Sequence, residues 1–365
     1  MDRKALFSIL LLLAGSIWAC GDSPTGPGTL PPIDLAHPWM EGTPASVGLR
    51  PSGVSSALEA AAEIPRLMSL LVVKDGILVV EEYYRGNQRD SLNDLRSVTK
   101  SVVSTLTGLA IQEGYLSGID QTLGELLPDA PFDNPEQEDI RVRDLLTMSG
   151  GFDWFEDGAI GYNDWILSED RIAYLLSKPL MHPPGSTFNY NSAAVHLLGV
   201  ILTEVTGMEL PELADQLLFG PIGVTQSRWE PLGPHFNGGA GIDLRPRDLA
   251  RLGQLFLQSG VSGNRPILSK AWIRGATTPA YDWRASFSPL SAISYGYLWW
   301  TNDDVLGDAF LAWGYGGQFL YVVPDLNLVV VATTEWRGVS SDEGSDAVEE
   351  AVLHVIVDHL IPAVR

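Results

Sequence analysis

The sequence predicts an α+β fold: an antiparallel sheet flanked by helices, with a mainly helical insertion packed beside it. Three observations carry this. Apolar, β-rich runs separated by turn residues occur at both ends of the domain, at 68–73 with 77–84 and at 319–323 with 326–333. Between them, residues 115–240 alternate short helical patterns with loops rich in Gly, Pro and Asp. No strand–helix–strand series repeats along the chain. Two terminal hairpins that meet in one sheet therefore suit the pattern better than a parallel sheet does.

Taken in order, the chain opens on Arg3 and Lys4 before an apolar run at 5–14, then small and mixed residues up to Cys20. This reads as a signal peptide over 1–19, too short to stay in a bilayer as a spanning helix. Cys20 is the only cysteine, and Ile17-Trp18-Ala19-Cys20 resembles a bacterial lipoprotein box, although Trp18 stands where a small residue is usual. Lipidation of Cys20 is the expectation, with membrane contact only through that N-terminal anchor. Plain secretion with cleavage near Ala19 is the alternative. In both cases the protein is exported, facing the periplasm or cell exterior. Residues 20–44, rich in Pro and Gly, read as a tether. The domain is then 45–365, with a sheet subdomain at about 45–92 and 240–365 and a helical one at about 93–239.

Within the domain, 52–62 is helical, and Asp75-Gly76 between two apolar runs marks a hairpin. An apolar helix covers 97–114, and others follow at 192–205 and, after Pro246, at 247–258. Ser345 is placed to cap a last helix, with Val348, Val352, Ile356 and Leu360 at helical spacing.

Composition narrows the function. The formal net charge of -22 disfavours nucleic-acid binding, which needs a cationic face. There is no G-x-S-x-G, no H-E-x-x-H and no G-x-x-x-x-G-K-[ST] motif. A single cysteine and six scattered histidines do not compose a metal site.

What remains is Ser97-x-x-Lys100. Helical spacing puts both side chains on one face, one turn apart, in a helix that is apolar on nearly all sides. Burial destabilises the ammonium, so the lysine pKa should fall, and a neutral amine beside a hydroxyl can take its proton. The helix N-terminus favours a developing oxyanion. The plainer reading has Ser97 as a helix cap and Lys100 reaching to water.

Two further stretches raise similar pairs of readings. In PPGSTFNYNSAAVHLLG, at 183–199, Tyr190 precedes an apolar helix. It either packs as a staple on Val195, with Asn191 as the cap, or works as a base beside a lysine. In WGYGGQFLYVVPDLNLVVVAT, at 313–333, glycines before a strand either form a turn or let a ligand approach, with the Gln318 amide facing a substrate oxygen. The aromatics Trp154, Phe155, Tyr162, Trp165, Trp299, Trp300 and Trp313 either line an acyl pocket or pack the core.

Together and in this order, LRSVTKSVVSTLTGLAIQEGYL, VRDLLTMSGGF, PGSTFNYNSAAVHLLGVILTEVTG and GYGGQFLYVVPDLNLVVVAT resemble the serine β-lactamase and penicillin-binding protein superfamily. The nearer likeness is to class C β-lactamase-like serine hydrolases, which include D,D-peptidases, esterases and 6-aminohexanoate-dimer hydrolase. It covers about residues 46–360. The resemblance implies a β-lactamase/D,D-peptidase-like fold, with Ser97 as the acylated nucleophile, Lys100 sharing its proton and Tyr190 protonating the leaving group. It implies an oxyanion hole of the Ser97 and Gln318 backbone N–H groups, substrate contacts at Ser192, Tyr315, Gly316 and Gly317, and no metal or organic cofactor.

Two departures stand out. The family's Tyr-x-Asn is here Tyr190-Asn191-Ser192, and its Lys-Thr-Gly or His-x-Gly is Tyr315-Gly316-Gly317. A phenol brings no positive charge to hold a substrate carboxylate. The expectation is an esterase or amide hydrolase acting on small to medium substrates. The rivals are an oligoamide hydrolase, a D,D-peptidase or weak β-lactamase, and a non-catalytic binding module.

Overall fold

The computed structural model describes residues 31–156, 161–303, 308–339 and 342–364. The N-terminal hairpin is β1 (Leu67–Lys74) and β2 (Ile77–Tyr83). Its two-residue turn, Asp75-Gly76, has φ of 55° and 77°. That left-handed pair matches the twist of the flanking strands, and Asp and Gly tolerate it best. The remaining strands come late in the chain: β3 (Ala285–Phe287), β4 (Leu290–Tyr295), β5 (Trp300–Asn302), β6 (Ala309–Gly314), β7 (Gln318–Val323) and β8 (Leu328–Thr334).

All eight form one antiparallel sheet in the order β3-β4-β5-β6-β7-β8-β1-β2. The two hairpins therefore meet as the sequence predicts: Val331 of β8 lies between Leu71 of β1 and Leu320 of β7. β8 starts at Leu328, later than its apolar run suggests. Pro324–Leu326 turns as a short 3-10 segment and Asn327 takes φ 45°, so neither can join the ladder.

Four longer helices pack on this sheet, α1 (Pro51–Glu63), α2 (Val98–Gln112), α4 (Pro246–Leu257) and α5 (Asp342–His354), and α3 (Ser192–Thr206) packs on α2. Alternate residues of a strand face opposite sides. Leu70 and Val72 pack with Val54 and Ala57 of α1 and with Val352 and Leu353 of α5. Leu71 and Val73 share the other core with Val102 and Leu106 of α2 and Leu249 and Phe256 of α4. A central strand covered on both faces reads as a continuous apolar run, as 67–73 does.

α2 is the pivot of the fold, and every residue from Val98 to Ala110 is buried. Such a helix must be approached closely. A Cβ on Gly108 would lie 2.5 Å from the Trp272 ring, so only glycine fits there.

Two expectations change. The stretch read as a tether through residue 44 belongs to the domain from Pro31 onward. Leu35 and Trp39 are buried, and the Leu35 N–H donates to Ser262 Oγ at 2.9 Å. These two anchors are enough to dock a segment whose average composition looks like a linker. Ser345 is also not a cap. α5 begins earlier, at Asp342, and Ser345 sits buried inside it. The signal peptide over 1–19, Cys20 and the first part of the tether lie outside the described residues.

Candidate active site

Asp94-Leu95-Arg96 leads into α2 through an unusual turn. Arg96 has φ 48°, and its N–H donates to Asp94 Oδ1 at 3.1 Å. The turn places Ser97 at the head of α2, where it lines a cleft of about 570 Å³. Lys100 follows one turn later and is 1% exposed. Its Nζ donates to Ser97 Oγ at 2.9 Å and to the Gly239 carbonyl at 2.5 Å. Burial is the main cause that pushes the Lys100 amine down to about 7. The Glu156 carboxylate opposes the fall, and the Arg96 guanidinium adds to it. At neutral pH about half of such lysines are uncharged. The reading in which Lys100 reaches to water does not hold.

Tyr190 reaches the same point from the residues just before α3. Asn191 caps α3, its Oδ1 accepting from the Ala194 N–H at 2.9 Å. The Tyr190 ring lies 4.9 Å, at its centroid, from Lys100 Nζ. It stacks on Trp300 at 6.1 Å and 17°. The cap fixes the backbone and the stack fixes the ring.

Ser192 lines the cleft and is tied to a residue that sequence reasoning did not single out. Its N–H donates to Glu156 Oε2 at 3.0 Å and its hydroxyl donates to Glu156 Oε1. Trp154 Nε1 also donates to Glu156 Oε2, at 2.7 Å. The Gly239 carbonyl was equally hidden. It is set by Asn237, whose Oδ1 accepts from the N–H groups of Gly239 and Ala240, both at 3.1 Å.

The third stretch closes the cleft from the sheet. Gly314 ends β6 so close to α2 that a Cβ there would lie 2.4 Å from the Leu95 carbonyl. Tyr315 lines the cleft, whereas Gly316 and Gly317 do not. The Gly316 N–H donates to Glu349 Oε1 at 2.7 Å and to Ser345 Oγ at 2.9 Å, on α5. Trp313 Nε1 donates to Glu349 Oε2 at 2.8 Å. A Cβ on Gly316 would meet Trp336 at 2.7 Å, and one on Gly317 would meet Thr334 at 3.1 Å. These glycines let the loop pack closely against Trp336 and Thr334. Burial pushes the Glu349 carboxyl up, against the three donors that favour its charge. The Gln318 side chain is bonded to Thr334, so only its backbone is left to serve the site. Of the aromatics, Tyr162, Trp300 and Trp313 line the cleft, Trp165 and Trp299 are fully buried, and Phe155 is exposed.

The cleft thus brings together a serine, a buried lysine one turn from it and the ring of a tyrosine. Comparison with known families matches residues 66–353 to Beta-lactamase. The chain belongs to the beta-lactamase family. Its relatives include the 6-aminohexanoate-dimer hydrolase of Paenarthrobacter ureafaciens, 27% identical over 290 residues, or 73% of this chain and 72% of that protein. The lovastatin esterase of Penicillium rubens is 26% identical over 194 residues, covering 47% of this chain and 48% of the fungal one.

Among solved structures, EstCE1, a hydrolase with promiscuous acyltransferase activity, superposes with a TM-score of 0.66 at 18% identity, over 82% of this chain and 98% of that one. The octameric penicillin-binding protein homologue of Pyrococcus abyssi gives 0.66 at 18% identity, over 85% and 78%. At such identities the likeness shows the fold, an antiparallel sheet flanked by helices. With amidase and esterase relatives in the family, this beta-lactamase-family chain is a hydrolase of the serine beta-lactamase superfamily.

Proposed function

We propose that the protein cleaves small to medium esters through an acyl-enzyme on Ser97. One observation carries the reading: a fully buried Lys100 Nζ stands 2.9 Å from Ser97 Oγ, with its pKa pushed down to about 7. Ser97 Oγ bonds to the substrate carbonyl carbon, and its proton passes to the neutral amine of Lys100. The oxyanion faces the backbone N–H groups of Ser97 and Gln318 at the head of α2 and the start of β7. The carbon–oxygen bond then breaks, and the alcohol leaves with a proton relayed from Lys100 by Tyr190. Water adds to the acyl carbon, loses a proton to the same pair, and releases the acid with Ser97 restored. No step calls on a metal or an organic cofactor.

Esters rank before amides because an alkoxide leaves with less protonation than an amine. Amide cleavage is the second reading, favoured by the 6-aminohexanoate-dimer hydrolase among the relatives. Tyr315 in place of a cation, beside Asp346 and Glu349 in the cleft, weighs against β-lactams and peptides that present a carboxylate there. Residues 1–19 and Cys20 support export and lipid anchoring as part of the same reading. Hydrolysis of p-nitrophenyl butyrate by the purified protein, beside Ser97→Ala, tests the core of it. Turnover is expected to vanish in the variant, and full activity in Ser97→Ala would overturn the assignment.

A further inference from the structure

Beside the cleft, sharing Trp300 with it, lies a second cavity of about 470 Å³. Its walls are the rings of Phe188, Tyr281, Trp283 and Trp300, with the hydroxyls of Ser186 and Thr187 at its edge. No charged side chain among the described residues lines it. Trp300 belongs to both cavities.

The rings are arranged rather than scattered. Tyr281 and Trp283 are stacked at 5.8 Å and 22°, and Phe188 meets Trp283 edge-on at 5.1 Å. Hydrogen bonds hold the Tyr281–Trp283 segment. Tyr281 donates its hydroxyl proton to the Thr147 carbonyl at 2.6 Å. Arg284 pairs with Asp303 at 2.7 Å and donates to the carbonyls of Tyr281 and Trp283 at 3.1 and 3.0 Å. Phe188 lies two residues before Tyr190, which stacks on Trp300. A half-exposed aromatic wall held by polar contacts at its back keeps its apolar faces toward whatever occupies the groove.

We infer that this groove is a leaving-group subsite for a flat, uncharged, ring-bearing alcohol or amine. The inference rests on the proposed function, because Tyr190 is the residue that protonates the leaving group. Trp300, which also lines the groove, stacks on Tyr190, and Phe188 lies two residues before it, so the group that departs with Tyr190's proton leaves beside the rings. Its chemistry is set by the lining: aromatic faces for stacking, two hydroxyls for a peripheral hydrogen bond, and nothing to offset a charge. The acyl group stays at Ser97, in the cleft bordered by Glu156, Ser192 and Tyr315.

Acetyl esters with different alcohols isolate this subsite, since every one forms the same acetyl-enzyme and deacylates alike. In a pH-stat, kcat/KM for 2-naphthyl acetate is divided by that for ethyl acetate, in wild type and in Trp283→Ala. Intrinsic ester reactivity cancels in the comparison. The naphthyl-to-ethyl ratio is expected to fall about five- to tenfold in Trp283→Ala, as for loss of one aromatic contact, and to be largely kept in Trp283→Phe. An unchanged ratio in Trp283→Ala would overturn the inference. So would a loss seen only when the naphthyl group is moved to the acyl side, as in ethyl 2-naphthoate. Binding of 2-naphthol to Ser97→Ala, followed by tryptophan fluorescence, separates this inference from the proposed function. Saturable quenching that weakens in Ser97→Ala/Trp283→Ala supports the subsite even if no ester is turned over. Quenching that is equal in the two proteins counts against the subsite alone.

Discussion

The state of Lys100 yields the sharpest prediction, and pH is the perturbation. A lysine at its ordinary value of 10.5 is uncharged in only about 0.03% of molecules at pH 7. With the amine pushed down to about 7, roughly half are uncharged, a gain of the order of a thousandfold in competent base. Activity requires the uncharged form. kcat/KM should therefore rise tenfold per pH unit up to about 7 and level off above it, leaving about 1% of the plateau at pH 5. Glu156 tests the cause. Its carboxylate holds the Lys100 pKa up against burial, so Glu156→Gln should move the acid limb to lower pH. Glutamine keeps an acceptor for Ser192, so a merely structural role would leave the limb in place. Initial rates on p-nitrophenyl butyrate from pH 5 to 9, with enzyme re-assayed at pH 7.5 after each exposure, give both profiles. A wild-type profile flat across that range, or a limb above pH 9, would refute the reasoning.

Other outcomes follow from the same geometry. A folded-state pKa below the unfolded one means that the unfolded chain binds more protons between about pH 7 and 10.5. The Lys100 contribution should thus make the protein more stable as pH rises through that window, by an amount up to the order of 5 kcal/mol. Lys100→Met should accordingly abolish turnover yet raise the melting temperature at pH 7, checked by calorimetry, and a lower Tm would count against a costly buried amine. Gly239→Ala should lose activity by about two orders of magnitude with the fold intact by circular dichroism. Its Cβ would meet the Ser192 carbonyl at 2.6 Å and push away the carbonyl that accepts from Lys100. Wild-type rates in that variant would show that the contact at Gly239 does not position the lysine.

Much of this was legible in the linear chain because it rests on local rules. Apolar, β-rich runs on either side of Asp75-Gly76 and of Pro324-Asp325 specify two hairpins, and strand burial follows from them. The spacing of three between Ser97 and Lys100 specifies a shared helix face, and the apolar residues around Lys100 specify the direction of its pKa shift. Asn191 before an apolar helix specifies a cap whatever else Tyr190 does.

Tertiary structure alone decided which distant groups complete the site. Gly239 lies 139 residues from the lysine it accepts from, and nothing in its own neighbourhood marks a carbonyl for that use. Glu156 reaches Ser192 across 36 residues, and Glu349 reaches Gly316 across 33. Both carboxylates sit in stretches that read equally well as solvated turns or helix surface. Packing likewise settled the fate of residues 31–44, where Leu35 and Trp39 outweigh a linker-like composition, and of Ser345, drawn inside α5 to the Gly316 loop. The physical reason is the same in each case. Helix phase, strand period and turn chemistry act over a few residues, where the sequence displays them directly. A hydrogen bond between elements depends on how whole layers settle against one another, and that is a property of the sum of their buried contacts.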